Sequence, residues 1–141
     1  MITREDYPSF GNWVKIGATT LWEKFQTVNV SSMNHPTWGD ISGWFIKCLA
    51  GIRLNPNKHN VNELLIQPSF IAALDHASAY HIAPAGKIGV SWKREGNAIL
   101  LETEVPEGIC ATAVLEPMYS FEDGQRSKPI TSGSYRIIHA T

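Results

Sequence analysis

The period of the hydrophobic pattern changes near residue 55, and this change constrains the fold more than any other feature of the sequence. Before it, apolar residues recur at helical spacing. After it, short alternating runs are separated by tight polar turns. The turn-rich stretch 55-NPNKHN-60 lies at the change. We therefore expect an α+β chain, with two helices in residues 1–55 and an all-β antiparallel sandwich in residues 56–141.

Two amphipathic helices are predicted in the first part. Over residues 11–26, four apolar side chains share one helical face, with Glu23 on the opposite face: Val14, Ala18, Leu21 and Phe25. Over residues 40–50, five residues form a second apolar stripe: Ile41, Trp44, Phe45, Cys48 and Leu49. Asp40 is a suitable N-cap and Gly51 a suitable stop, and residues 28–39 are predicted to form a loop.

Short strands are predicted in the second part. Alternation and flanking turns place them at residues 61–67, 87–92, 98–105, 109–116 and 134–140. Trp92 falls on the inward face of its strand, and we expect it in the sandwich core. Glu102 and Glu104 alternate on one strand face, which we expect to face solvent.

The bulk composition excludes several classes of protein. The formal net charge of -1 gives no reason to expect a nucleic-acid partner or a membrane surface. No apolar run reaches the roughly 20 residues that span a bilayer, and MITREDYPSF lacks the apolar core of a secretory signal. Cys48 and Cys110 have apolar neighbours and are predicted to be packed, unreactive thiols. Asp75, His76 and His81 are too irregularly spaced to predict a metal site, and no cofactor is expected.

The two helical stripes are too extensive for one sandwich edge to cover both. Exposed apolar faces of this size usually indicate a missing partner. We therefore expect the chain to be part of something larger, or to self-associate through these faces.

The sequence resembles the C-terminal end of the family 78 glycoside hydrolases, the bacterial α-L-rhamnosidases. The helical stretches that carry the resemblance are 17-GATTLWEKF-25, 32-SMNHPTWGDISGWF-45 and 49-LAGI-52. The later stretches 86-GKIGVSW-92 and 105-VPEGICATAVLEP-117, with the final Ser132-Gly133-x-Tyr135, are similar to the closing β-sandwich of that family. The resemblance implies that residues 1–55 are the last hairpin of an (α/α)6 catalytic barrel.

The resemblance also implies a catalytic role for Glu23. Taken by itself, a glutamate opposite an apolar stripe is most simply a solvated surface residue. In the family, the matching glutamate is the general base of an inverting mechanism. The general acid belongs to an earlier hairpin without a counterpart here, and the acidic pair 5-ED-6 stands at the wrong place in the order. We therefore expect the chain alone to be inactive.

Three further residues become candidates for binding a rhamnose-containing oligosaccharide or glycoside. His35 matches a family histidine that reaches the bound sugar, and Pro36 favours an extended backbone at His35. Asn34 is the second candidate, although its simplest role is to brace the loop. Trp22, on a flank of the first helix, could pack against the C–H face of a sugar. Linkage and aglycone preference depend on other loops of the barrel. The sequence does not predict the cellular compartment, and the resemblance is compatible with a periplasmic or extracellular parent enzyme.

An alternative from a different functional class is a non-catalytic module. In this reading the β-sandwich binds carbohydrate by itself, or only buttresses the barrel. The sequence offers little aromatic platform for such binding, because Tyr80, Tyr119 and Tyr135 are scattered among the predicted strands.

Overall fold

The chain divides into two compact units, with the division between residues 43 and 44. The computed structural model describes residues 4–29 and 31–140. Short helical segments in the first part are followed by two β-sheets, which confirms the predicted α+β class with a β-sandwich. The predicted domain boundary at residues 55 and 56 stays a prediction; strand β1, at residues 52–54, already belongs to a sheet of the sandwich.

Helix α1 is shorter than predicted and turns a different face inward. It spans Phe10–Lys15, and its N-cap Ser9 accepts a hydrogen bond from the Asn12 amide at 3.0 Å. Trp13 is 2% exposed, whereas Val14, which the periodicity placed on the buried face, is 75% exposed. The prediction of a helix over residues 11–26 was therefore wrong beyond its first turns.

A glycine explains where α1 ends. Gly17 has a φ of +82°, in the left-handed region. Its amide bonds to the Val14 carbonyl at 3.0 Å, and the Ala18 amide bonds to the Trp13 carbonyl at 2.9 Å. These two bonds form a Schellman motif, which satisfies the last carbonyls of a helix and turns the chain away. The apolar spacing continues past this point, but the helix does not.

The second helical segment has the predicted extent. A 3-10 turn at Pro36–Trp38 precedes helix α2 at Asp40–Trp44, which continues as a π-helical turn at Phe45–Leu49. Gly51 follows with a φ of +81°, as predicted for the stop. Outside the 3-10 turn, the predicted loop 28–39 is irregular over the residues described; Val30 lies outside them.

Nine strands are found among the described residues. They are β1 Ile52–Leu54, β2 Glu63–Ile66, β3 His76–Ala83, β4 Gly86–Glu95, β5 Ala98–Glu104, β6 Cys110–Val114, β7 Tyr119–Phe121, β8 Ser127–Ile130 and β9 Gly133–His139. One sheet has the order β1-β2-β6-β8 and the other β3-β4-β5-β9-β7. Neighbouring strands pair antiparallel, except that β2 pairs parallel with β6.

The core of the second unit lies between the two sheets and confirms the predicted strand faces. Trp92 on β4 and Leu101 on β5 are at most 1% exposed, while Glu102 and Glu104 point to solvent. The indole Nε1 of Trp92 donates a hydrogen bond of 3.0 Å to the Leu49 carbonyl. This bond joins a core strand to the end of the π-helical turn.

Of the two cysteines predicted to be packed, Cys110 differs clearly from the prediction. Cys110, the first residue of β6, is exposed, and Cys48, in the π-helical turn, is half-buried. The side chain of Cys110 points away from the core because successive residues of a strand face opposite sides. Its apolar neighbour Ala111 is the one that is buried. The prediction of a packed thiol was therefore wrong for Cys110.

Arg94 connects strand β4 to the loop that leads into β3. Its guanidinium donates to the carbonyls of Phe70 at 2.9 Å, Leu74 at 3.0 Å and Ile71 at 3.3 Å. The predicted strand ends at residue 92, before Arg94, but β4 continues to Glu95. A single side chain thus satisfies several carbonyls of a segment without regular structure.

Candidate functional site

Two segments of the first unit run side by side and bring the predicted site residues together. The Glu23 amide donates to the Ser32 carbonyl at 2.9 Å, and the His35 amide donates to the Leu21 carbonyl at 2.8 Å. The hydroxyl of Thr20 donates to the Met33 carbonyl as well. Residues 21–23 therefore lie directly beside residues 32–35, although Glu23 is not on a helix as predicted.

Glu23 is half-buried and held at three of its groups. Its Oε2 accepts a hydrogen bond from the Ser31 hydroxyl. Its backbone carbonyl accepts a bond of 3.2 Å from the indole Nε1 of Trp38, and its amide bonds to Ser32. Among the described residues, no salt bridge involves Glu23. The carboxylate is therefore oriented by a neutral donor, with Oε1 free of protein partners in the described part of the chain.

His35 caps the 3-10 turn that follows it. Its backbone is extended, with φ -135° and ψ 135°, which confirms the expectation drawn from Pro36. Its Nδ1 accepts a hydrogen bond from the Thr37 amide at 3.2 Å and also contacts the Thr37 hydroxyl. Because a neutral imidazole that accepts at Nδ1 carries its proton on Nε2, the outer nitrogen of His35 is a donor.

Asn34 takes part in the loop through its backbone. Its amide donates to the Ser32 hydroxyl at 3.3 Å, and that hydroxyl donates to the Asn34 carbonyl at 3.1 Å. The Asn34 side chain is exposed and makes no hydrogen bond with any residue described. The side-chain amide is thus available to a ligand, while the backbone braces the turn.

Aromatic rings form the interior of the first unit. Trp13 stacks on Phe25 with ring centroids 4.5 Å apart, and Phe25 lies 4.9 Å from Trp38. Phe10 meets all three of these rings edge-on. Trp22 is half-buried and tilted against Trp13 at 6.1 Å. Trp22 is therefore partly a packing residue and partly an accessible aromatic surface.

A shallow concavity of about 410 Å³ lies at the segment between Glu23 and Ser31. It is lined by Tyr7, Gln26, Thr27, Val28 and Asn29. Sequence reasoning missed this lining and the role of Ser31. The signal was weak, because polar residues of a loop follow no periodic pattern that would show which side chains lie together.

The other acidic residues near the N-terminus are engaged with cations. Arg4 donates hydrogen bonds of 2.9 and 2.6 Å to the two carboxylate oxygens of Asp6, and these bonds lower the pKa of Asp6 to about 2. Glu5 lies 3.6 Å from the Lys15 ammonium. A carboxyl that is ionised above pH 2 cannot deliver a proton near neutrality, so the chemistry argues against Asp6 as a general acid.

Of the three tyrosines named above as a possible carbohydrate platform, one has an exposed ring. Tyr80 on β3 is 60% exposed, whereas Tyr119 is buried and Tyr135 half-buried. The Lys87 ammonium lies 5.7 Å from the centre of the Tyr80 ring and 2.8 Å from a Glu104 carboxylate oxygen. The outer face of this sheet thus combines an aromatic ring with charged groups.

Neither a metal-binding cluster nor a membrane-spanning helix is found in the part of the chain that the structure describes. Within residues 4–29 and 31–140, no three His, Cys, Asp or Glu side chains lie close enough to share a metal ion. In the same residues, no helix has the length and apolar character needed to cross a membrane.

Comparison with known protein families divides the chain in two. Residues 1–49 match the bacterial alpha-L-rhamnosidase 6 hairpin glycosidase domain. Residues 51–126, more than half of the chain, match the bacterial alpha-L-rhamnosidase C-terminal domain.

The curated relatives that the chain matches are also alpha-L-rhamnosidases. The chain is 30% identical over 129 residues to an alpha-L-rhamnosidase of Alteromonas sp. (strain LOR), a match that covers 85% of this chain and 14% of that protein. It is 30% identical over 120 residues to an alpha-L-rhamnosidase of Formosa agariphila, which covers 79% of this chain and 13% of that protein. The chain therefore spans about one seventh of the length of these relatives.

Solved structures share the fold. An alpha-L-rhamnosidase from Dictyoglumus thermophilum superposes with a TM-score of 0.74 at 23% identity, over 99% of this chain and 18% of that one. The Streptomyces avermitilis alpha-L-rhamnosidase, solved in complex with L-rhamnose, gives 0.71 at 23% identity, over 96% of this chain and 15% of that one. These likenesses show the fold, and the match of residues 51–126 to the family's C-terminal domain places the chain in the bacterial α-L-rhamnosidase family, as the C-terminal part of such a protein.

Proposed function

We propose that this chain supplies the general base and part of the sugar-binding site of an inverting α-L-rhamnosidase that hydrolyses terminal α-L-rhamnosides. Glu23 is the base in this proposal. The observation that carries it is the pairing of residues 21–23 with residues 32–35, because it gathers Glu23, Asn34 and His35 in one place.

The environment of Glu23 suits the activation of water. In an inverting glycosidase, one carboxylate deprotonates a water while an acid about 6.5–9.5 Å away protonates the leaving oxygen. Ser31 occupies Oε2 of Glu23, so Oε1 can accept the proton of the attacking water. The water then adds to the anomeric carbon from the face opposite the leaving group, and the configuration inverts.

The neighbouring side chains supply complementary contacts to a sugar. The Nε2–H of His35 is a donor for a rhamnose hydroxyl, because Nδ1 is used by Thr37. The free amide of Asn34 can donate and accept, and the accessible part of Trp22 offers an apolar surface to sugar C–H groups. The resemblance implies this role for His35, whereas Asn34 and Trp22 are proposed from their exposure and chemistry.

We further propose that the 141-residue chain by itself does not turn over substrate. The reaction needs a protonated acid on the other side of the glycosidic oxygen. Asp6 is held ionised by Arg4, and Glu5 lies beside Lys15. Neither of these two side chains is a suitable proton donor, and the resemblance implies that the general acid belongs to an earlier hairpin of the barrel.

The activity test compares the chain with its Glu23→Gln variant on an aryl α-L-rhamnoside. We expect both to release aglycone at the uncatalysed rate. Release by the unaltered chain above the variant would contradict the proposed inactivity and would show that an acid is present.

The binding test is an NMR titration of the chain with L-rhamnose. We expect saturable shifts at His35, Asn34 and the Trp22 indole, and their loss in His35→Ala. His59→Ala is the matched control, because His59 is an exposed histidine of the second unit. If rhamnose causes no shift at residues 21–35, or if His59→Ala removes the shifts equally, the proposed sugar site is wrong.

A second candidate function is a carbohydrate-binding sandwich. The exposed ring of Tyr80, with Lys87 and Glu104 beside it, is the observation that favours this function. The same titration separates the two candidates. Shifts confined to strands β3 and β4 that vanish in Tyr80→Ala would favour the module, since that substitution leaves the first unit intact.

A further inference from the structure

Ser31 holds one carboxylate oxygen of Glu23, and we infer that Ser31 is a positioning residue for the general base. Its hydroxyl donates to Oε2 of Glu23 and so presents Oε1 to the attacking water. The catalytic part of this inference rests on the proposed function of Glu23. The geometric part, that Ser31 selects the orientation of the carboxylate, stands on the structure alone.

Hydrogen bonds fix the backbone of Glu23, so only the torsion angles of its side chain remain to be restrained. The Glu23 amide bonds to the Ser32 carbonyl at 2.9 Å, and the Glu23 carbonyl accepts from Trp38 Nε1 at 3.2 Å. Fixing a glutamate side chain in one rotamer costs conformational entropy, so an orienting contact is needed. Ser31 directly precedes Ser32, whose carbonyl accepts the Glu23 amide. The backbone that carries the Ser31 hydroxyl is therefore held beside the Glu23 carboxylate.

A hydroxyl is a suitable orienting group for a base. A lysine or arginine paired with Glu23 would favour the ionised carboxylate and weaken it as a proton acceptor. None of the salt bridges among the described residues involves Glu23. Ser31 directs the carboxylate through a hydrogen bond and adds no positive charge.

The next residue in the chain provides a matched control. The Ser32 hydroxyl donates to the Asn34 carbonyl at 3.1 Å rather than to Glu23. Ser31→Ala and Ser32→Ala therefore remove the same group from adjacent positions of one loop. Only the first of them removes a donor to the carboxylate.

The test measures the Glu23 side chain by NMR in the full chain, with Glu23→Gln used to assign its signals. In the unaltered chain and in Ser31→Thr, which keeps the hydroxyl, we expect two separate γ-proton signals and couplings of one preferred rotamer. In Ser31→Ala we expect the two signals to merge and the couplings to average. Ser32→Ala should keep them apart, with the Trp38 indole signal unchanged in all variants as a check of the fold.

Two results would overturn the inference. One is a Glu23 side chain that stays in a single rotamer in Ser31→Ala, and the other is averaging in Ser31→Thr or Ser32→Ala equal to that in Ser31→Ala. Failure of the proposed function gives a different pattern, namely no rhamnose shifts near Glu23 while its rotamer still depends on Ser31.

Discussion

The indole Nε1 of Trp92 donates a 3.0 Å hydrogen bond to the carbonyl of Leu49, in the core of the second unit. Trp92→Phe removes the donor and leaves that carbonyl buried without a partner. We expect the free energy of unfolding to fall by about 2–4 kcal/mol, from the unmet hydrogen bond and the cavity together. Urea unfolding followed by the amide signals of β4 and β5 measures it.

Trp44→Phe is the control for that substitution. Trp44 is 41% exposed and packs edge-on against Phe45 with ring centroids 5.5 Å apart. A phenylalanine keeps this contact, so we expect a change within about 0.5 kcal/mol. Equal losses from both substitutions would mean that the bond to Leu49 does not matter.

The guanidinium of Arg94 gives a second prediction. Arg94→Lys keeps the charge but cannot reach the carbonyls of Phe70, Leu74 and Ile71 together, since an ammonium lacks the planar fork of donors. We expect a loss of about 1–3 kcal/mol in the free energy of unfolding, with faster amide exchange in residues 70–75.

Arg136→Lys is the matched change at an exposed site. Arg136 makes an ion pair of 3.3 Å with Glu122 on the surface, and we expect at most about 0.5 kcal/mol from its replacement. If Arg94→Lys is as mild as Arg136→Lys, the three carbonyl contacts do not stabilise the loop.

The sequence predicted the structure best where strand alternation or a helix-ending glycine determines it. The inward position of Trp92, the solvent side of Glu102 and Glu104, and the stop at Gly51 follow from local rules that the fold does not override. Helix α1 shows the opposite case. Its apolar spacing predicted a helix to residue 26, but the left-handed Gly17 ends it, and hydrogen bonds to residues 32–35 hold the following segment.

The sequence named candidate site residues, but it did not predict how their segments lie relative to one another. The resemblance named Glu23 and His35, yet no pattern of spacing shows that their segments pair through backbone bonds over a loop. Strand β3 was missed because HASAYHIA is rich in alanine, serine and histidine, which give little alternation. Ser31 was missed because a loop serine has no signature until its neighbour in space is known.

Asp6 gives a prediction about pH. Its pKa is lowered to about 2 by the hydrogen bonds from Arg4. Because the folded pKa lies below the ordinary value of 3.8, the ion pair contributes fully above about pH 4, and its contribution is lost as the pH falls through about 2. A carbon-detected NMR titration should give a midpoint near 2, and Arg4→Gln should return it towards 3.8.

Asp123 serves as the internal reference in that titration. Its pKa is also lowered, chiefly by the hydrogen bond from Lys128, and Arg4→Gln leaves that bond intact. A midpoint for Asp6 near 4 in the unaltered chain would contradict the pairing with Arg4.

Alanine substitutions at two glycines with nearly the same φ distinguish the cost of a steric collision from the cost of left-handed backbone strain. Gly51 and Gly124 have φ values of +81° and +79°. A Cβ at Gly51 would lie 2.1 Å from the carbonyl carbon of Gln67, whereas a Cβ at Gly124 would have no atom within 4 Å. Gly124→Ala should therefore cost only the left-handed strain of about 1–2 kcal/mol.

Gly51→Ala should cost about 4 kcal/mol or more, because the methyl group adds a backbone collision to the same strain. The Gly51 carbonyl also accepts the Gln67 amide at 2.9 Å, so the two strands cannot separate without losing that bond. Urea unfolding of the two variants, followed by the amide signals of β1 and β2, gives the comparison. Similar losses from both would show that the backbone at residue 67 yields easily, and that the close approach does not require glycine.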